Sequence, residues 1–249
     1  MKTVHIAVMK ETRANEQRVA LTPNDTAELI QQGHTITIEK LAGHAAGFTD
    51  ADYELAGAHS TANMRSSLST HPPDIVLRVK RPDHTIEGDD IKAIPKGTAL
   101  LGALDPGERN PTHIEAYKNQ GIQAYSLDAA SLPPTHPLNI LTPMSKMAGE
   151  MALQDAMNLL GKNLPSKVVI IGFGTAGKAA TDEAFRHGHS VTVIASNTRS
   201  TIDILDRGGQ HLTLNPSDNI DDHRKMIHAE LLDADIVITS ARRPKQQAP

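Results

Sequence analysis

The chain has 249 residues, room for two domains or one large one, and enough to bury a core without cross-links. It has no cysteine, which excludes disulfides, thiolate metal sites and a cysteine nucleophile and fits a reducing compartment. Lys and Arg number 25 against 29 Asp and Glu, a net charge of −4 with both signs spread along the chain, and Phe and Tyr number three each. No basic stripe or stacking platform for nucleic acid follows from this. There is no apolar signal core at the start and no run of the ~18 to 20 apolar residues that a membrane span needs. The expectation is a cytoplasmic globular protein.

In chain order, residues 4–8 alternate and read as a strand. Thr22 and Pro23 read as N-cap and first residue of a helix over 24–32, ended by Gly33. Residues 35–39 are a second strand, 52–58 a short helix, 74–79 a third strand stopped at Pro82, and 98–104 a fourth. Residues 111–119 read as helix capped by Gly121, and 122–126 as a fifth strand. Strands alternating with helices predict an open, mostly parallel α/β sheet. Three prolines in 131–138 exclude a helix interior or central strand there. They set the expected boundary: an N-terminal α/β domain over 1–138, then a linker helix and nucleotide-binding domain over 139–249. Thr142-Pro143 reads as the cap of a helix running to about Leu160, with Met144, Met147 and Met151 as a packed stripe. A second α/β run follows: strand 167–171, helix 178–186, strand 190–195, helix 201–207, strand 210–214, helix 222–231, strand 235–239. A sheet of this kind normally continues, so either the chain is a fragment or something covers the last edge.

The strongest chemical signal is Gly172-x-Gly174-x-x-Gly177, after a strand and before a helix. Gly172 permits the turn, Gly174 lets backbone approach a pyrophosphate, and Gly177 lets helix pack on strand; the phosphates meet the N–H groups of the helix start, including Thr175 and Ala176. The competing reading is a glycine turn with no ligand. At the end of the next strand an NAD site usually places an acid for the ribose 2′-OH. Here Ala195 stands there, followed by Ser196, Asn197 and Arg199, which suit a 2′-phosphate. NADP is therefore favoured over NAD, the alternative being that Arg199 is a solvated loop residue. Thr239 and Ser240, ending the last strand, complete the candidate cofactor-binding set.

In the first half, Arg18 follows the first strand and could clamp a carboxylate in bidentate fashion. Lys80 ends the third strand and is similarly placed. On the residues alone, both also read as surface charges. His187, His189, His223 and His228 lack the spacing of a zinc helix and read as solvent-facing residues near helix ends, so no metal is expected.

Lys10-Glu11-Thr12 with Glu16-x-Arg18-Val19-Ala20-Leu21-Thr22-Pro23, then Arg78-Val79-Lys80-Arg81-Pro82, Pro143-Met144-Ser145 with Ala148-Gly149, and the glycine turn occur in a fixed order. Together they resemble the alanine dehydrogenase and pyridine nucleotide transhydrogenase family, from Met1 to Pro249. The resemblance implies two doubly wound, Rossmann-like domains, the second incomplete here, with a cleft between them. A nicotinamide cofactor would lie on the second, and an amino or oxo acid on the first. It implies that Arg18 holds a substrate carboxylate, that Lys80 holds its carbonyl, and that Gly172, Gly174 and Gly177 form the pyrophosphate turn. Homo-oligomers are implied as well. Asp105 stands where the dehydrogenases have a histidine, so Lys80 and Asp105 are the candidate catalytic residues. Asp105-Pro106 with Asn110-Pro111 is nearer the transhydrogenase pattern, yet Pro134, His136 and Asn139 replace the Arg, Gln and Asp of the loop that holds nicotinamide there. The leading expectation is a hydride-transfer oxidoreductase of the transhydrogenase alpha-subunit type, whose membrane subunit would be another chain. The alternatives are an alanine-type or NADPH-using amino-acid dehydrogenase, and a non-catalytic nucleotide-binding module.

Overall fold

The structure, a computed structural model, describes residues 2–81, 88–105, 112–129, 132–161, 165–196, 200–215 and 219–241. The chain forms two compact units, Met1–Asn139 and Ile140–Pro249. Both are α/β, and every strand pairing among the described residues is parallel.

Unit 1 runs β1 (His5–Val8), α1 (Pro23–Gln31), β2 (Thr35–Glu39), α2 (Asp50–Leu55), β3 (His59–Thr61), α3 (Met64–Thr70), β4 (Ile75–Lys80), α4 (Gly88–Ala93), β5 (Ala99–Ala103), α5 (Thr112–Gln120) and β6 (Gln123–Ser126). The sheet order is β3-β2-β1-β4-β5-β6. The chain winds outward one way from β1 and then the other way from β4, so the winding reverses between those two strands. In open sheets of this kind ligands settle at that switch, outside the carboxyl ends of the strands. Apolar side chains fill both faces: Ile6, Val8, Ile36, Ile38 and Tyr53 on one, Ala7, Met9, Val76, Leu100 and Tyr117 on the other. Thr22 caps α1 as the sequence implies. Its hydroxyl accepts from Asp25 N, and the Asp25 carboxylate accepts from Thr22 N, which satisfies two donors reciprocally.

Unit 2 runs α6 (Leu141–Leu160), β7 (Lys167–Ile171), α7 (Thr175–Arg186), β8 (Ser190–Ala195), α8 (Thr201–Asp206), β9 (Gln210–Thr213), α9 (Ile220–Leu232) and β10 (Ile236–Thr239), with sheet order β10-β7-β8-β9. Its winding reverses between β7 and β10. Val168, Ile170, Val191, Val193 and Ile238 form one buried face with Leu153 of α6 and Ala180 and Ala184 of α7.

Three expectations are corrected. The helix α6 starts at Leu141 and has no side-chain cap, so Thr142 is its second residue and Pro143 its third. Proline is tolerated there because first-turn N–H groups have no intrahelical partner. The packed stripe of α6 is not the methionine row. Gly149 and Leu153 are its buried residues, with Ala152, Ala156, Met157 and Leu160 packed beside them, while Met147 and Met151 are exposed. The buried set repeats at three and four residues about 100° away around the helix. Finally, His189 and His223 are buried rather than solvent-facing. His189 Nδ1 accepts from Ser166 N at 3.0 Å.

Candidate functional site

At the switch of unit 1 the segment after β1 turns across the end of β4. Lys10 N donates to Glu39 at the end of β2, and Glu11 reaches the other way to β4, accepting from Val79 N and Lys80 N. Burial pushes the Glu11 carboxyl up, and the Arg78 charge with the two N–H groups opposes that push. Arg18 is exposed and pairs with Glu16 through Nε at 2.7 Å and Nη2 at 2.6 Å. This two-point bond is the main reason Glu16 lies low and Arg18 high; the charge of Lys80 also holds Glu16 low. The structure thus brings Arg18, Glu16 and Lys80 into one electrostatic group. Glu16 was not among the candidates read from the sequence, although its position two residues before Arg18 was the available signal.

Asp105 follows β5. Its backbone φ is +47°, a left-handed conformation that aspartate tolerates better than most side chains. Neighbouring bonds fix it. Leu104 N and Asp105 N donate to the Asp128 carboxylate at 3.0 and 3.1 Å. Burial raises Asp128, but the Ser126 hydroxyl and backbone N–H groups outweigh it, so the carboxyl stays below its ordinary range. The Asp105 carboxylate stands 3.9 Å from Arg13 Nη1. Beyond β6, Asn139 Nδ2 donates to Leu132 O and Pro133 O, and His136 Nδ1 accepts from Leu138 N. Pro134, His136 and Asn139 therefore lie in a turn that Asn139 and His136 close upon itself.

At the switch of unit 2, β7 ends in the glycine turn. Gly172 has φ +99°, and a Cβ there would sit 2.6 Å from Ala241 N. A Cβ on Gly177 would sit 2.1 Å from Gly172 O and 2.8 Å from Ser240 Oγ. Gly174 has nothing within 4 Å of its Cβ position. It is the N-cap of α7, and no side chain bonds the free N–H groups there. An open cradle with unclaimed N–H groups at a helix start is the shape a pyrophosphate fits, and Thr175 and Ala176 are the first helical residues in it. The residues present therefore fit a dinucleotide.

Ser240 Oγ donates to Gly172 O at 3.1 Å, so it braces the turn, and Thr239 pairs beside Ile171 at the end of β10. Ala195 is buried at the end of β8 and Ser196 is exposed beyond it. Asn197 and Arg199 lie outside the described residues, as do Pro82, Pro106, Asn110 and Pro111. Sequence reasoning passed over Lys178, the residue after Gly177. Its Nζ lies 5.2 Å from the Phe173 ring centre and 2.6 Å from Asp203 Oδ2, a cation beside the cradle held by an acid of α8. Among the described residues no group of three or more histidines and acids could hold a metal ion, and no helix is long and apolar enough to cross a membrane.

The family profile described as alanine dehydrogenase/PNT, N-terminal domain, matches residues 7–148, and the C-terminal domain profile matches residues 147–249. Alanine dehydrogenase of Bacillus subtilis is 34% identical, over 96% of this chain and 64% of that protein. An NAD(P) transhydrogenase alpha subunit of Rhodospirillum rubrum is 29% identical, over 98% of this chain and 71% of that protein. A solved transhydrogenase from Sinorhizobium meliloti has a TM-score of 0.83 at 23% identity, covering 98% of this chain and 72% of that one, a likeness of fold. A solved L-alanine dehydrogenase has a TM-score of 0.78 at 28% identity, covering 98% and 68%. The chain spans 64% of the length of the Bacillus subtilis relative.

Proposed function

The chain belongs to the alanine dehydrogenase/PNT family, and from that premise we propose that it is a nicotinamide-dinucleotide oxidoreductase whose unit 1 takes a small oxo or amino acid. The observation that carries the dinucleotide is the open cradle at Gly174, with Gly172 and Gly177 each closed against backbone. When bound, the dinucleotide supplies or accepts the hydride. The chain's own residues do the rest. Backbone N–H groups at the start of α7 hold the pyrophosphate. Arg18, oriented by Glu16, meets a carboxylate with its fork of donors. The Lys80 ammonium donates to a carbonyl oxygen and stabilises the charge that grows there on reduction. Ala195 in place of an acid, with Ser196 beside it, supports NADP over NAD.

The grouping of Arg18, Glu16 and Lys80 favours the amino-acid dehydrogenase type. The transhydrogenase alpha-subunit type, with a membrane subunit on another chain, is the second reading, favoured by Asp105 where the dehydrogenases have a histidine. In either case we propose a homo-oligomer. The experiment is calorimetric titration of the full chain with NADH and with NADPH, followed by assay of reduced-nicotinamide consumption. One arm adds an oxo acid and ammonium; the other adds an oxidised nicotinamide analogue. Turnover in the first arm alone favours the dehydrogenase type, and turnover in the second alone favours the transhydrogenase type. Tighter NADH binding refutes the NADP preference. Binding without turnover in either arm leaves a non-catalytic nucleotide-binding module, and absence of binding overturns the proposal.

A further inference from the structure

The end of β4 departs from a regular parallel ladder. Leu77 pairs with Leu101 of β5, but Lys80 pairs with Ala103, so three residues of β4 advance against two of β5. This is a β-bulge, a feature that re-aims a side chain at a strand end. The register of β1 with β4 stops at Val8 and Leu77. Past that point the N–H groups of Val79 and Lys80 turn to one acceptor, the Glu11 carboxylate, at 2.7 Å to Oε1 and 3.3 Å to Oε2. Arg78 Nε donates to the same Oε1 at 3.2 Å. The side chains of Glu11 and Arg78 are 3% and 0% exposed. On the opposite side of the bulge, Arg78 O presses on β5 so closely that a Cβ on Gly102 would stand 2.4 Å from it.

The bulge is thus held from both sides, by a buried carboxylate on the β1 side and a glycine on the β5 side. A buried ion pair is poor evidence for stability, since apolar residues of similar volume usually serve as well. A buried carboxylate bound to two consecutive backbone N–H groups does something an apolar pair cannot do: it sets where the next side chain leaves the strand. That side chain is Lys80, across the switch point from the segment that carries Arg18.

We propose that Glu11 is a positioning residue for Lys80: its carboxylate, bonded to Val79 N and Lys80 N and backed by Arg78, fixes the bulge that presents the Lys80 ammonium at the end of the sheet. The significance for substrate rests on the reading of Lys80 as the group that meets an oxo acid. The placement itself does not.

The test uses the full chain as wild type, Glu11→Gln, and the double variant Glu11→Gln with Arg78→Met. The double variant avoids a buried arginine left without its carboxylate if Glu11→Gln alone does not fold. Amide hydrogen exchange read by NMR is expected to rise at least tenfold at Val79 and Lys80, with Val76 and Leu77 within twofold of wild type. Labelling of Lys80 by a lysine-directed acylating reagent, read by peptide mass spectrometry, is expected to change at least threefold, with Lys96 and Lys118 unchanged. For pyruvate as probe, KM is expected to rise at least tenfold, with the dissociation constant for the dinucleotide within twofold. Unchanged exchange at Val79 and Lys80, or unchanged Lys80 labelling, overturns the proposal. Altered labelling with an unchanged pyruvate KM also overturns it as a statement about the site. If the wild type turns over no oxo acid, the functional reading fails, and exchange and labelling still decide whether Glu11 places Lys80.

Discussion

Gly149 lies inside the long helix α6, where glycine costs roughly 0.8–1 kcal/mol relative to alanine. Propensity alone therefore predicts that Gly149→Ala stabilises unit 2 by about that amount. The packing predicts the opposite. A Cβ on Gly149 would lie 2.0 Å from Ala176 O, 2.8 Å from Ala176 C and 3.0 Å from Ala176 Cα, all of them backbone. Ordinary contact begins near 3.4 Å, so α6 must withdraw from the first turn of α7 by about 1 Å or more, opening the packing around Leu153. Overpacking typically costs about 1–3 kcal/mol, and contact with unyielding backbone belongs at the upper end. After the propensity gain, the expected result is a net loss of about 1–2 kcal/mol. For a chain of this size that lowers Tm by roughly 2–8 °C. The first turn of α7 is also the dinucleotide cradle, so affinity should fall with stability. Thermal and urea unfolding by circular dichroism measure the first, and calorimetric titration the second. A Gly149→Ala protein more stable than wild type would refute the close approach of the two helices and, with it, the account of why α7 starts where it does.

Gly177→Ala should abolish measurable dinucleotide binding, because the new Cβ would fall 2.1 Å from Gly172 O and deform the turn; affinity within threefold of wild type in a titration would contradict this. Asp128→Asn should destabilise unit 1 by about 1 kcal/mol at neutral pH, since the carboxylate accepts from Leu104 N and Asp105 N. Asp128 sits below its ordinary value of 3.8 in the fold. Its contribution is therefore present above that value and lost as pH falls through the lower folded one. The gap in urea midpoint between wild type and variant should close over that acid window, and a gap independent of pH would sink the assignment. Tyr53→Phe removes a buried bond from the hydroxyl to Leu21 O at 2.8 Å and should cost about 1–2 kcal/mol. Burial pushes that hydroxyl up to about 12, so the loss should be the same at pH 6 and pH 9 in equilibrium unfolding.

The regular elements of both units were legible because each announces itself locally. The runs at His5–Val8 and Thr35–Glu39, the reciprocal cap at Thr22 and Asp25, and the turn at Gly172 need no distant partner to be read. The elements that went unread are short and polar. His59–Thr61 is a three-residue strand, and Met64–Thr70 has only Met64 and Leu68 as its buried pair. Neither is long enough for a period to emerge. The methionine row of α6 misled for a related reason. Met144, Met147 and Met151 have helical spacing and apolar character, yet the face that packs is the one that lets backbones touch, and Gly149 marks it by having no side chain.

The sites divide in the same way. The glycine turn is readable because its three glycines are constrained by neighbours a few residues off and by a strand end. Lys80 is a charged residue at the end of a strand, and no window around it says whether it faces solvent or a ligand. What decides is Glu11, sixty-nine residues earlier in the chain, together with Gly102 on the next strand. Both look unremarkable in sequence: an acid in a charged loop and a small residue in a buried strand. Only when the sheet order sets β1 beside β4 and β5 does the acid become the acceptor for two bulged N–H groups and the glycine the space for a displaced carbonyl. A functional side chain at a switch point is thus specified less by its own surroundings in sequence than by the residues that force its strand out of register. Buried acids bonded to consecutive backbone N–H groups are where such residues should be sought, and Asp128, gripping Leu104 N and Asp105 N in the same fashion, is the second instance in this chain.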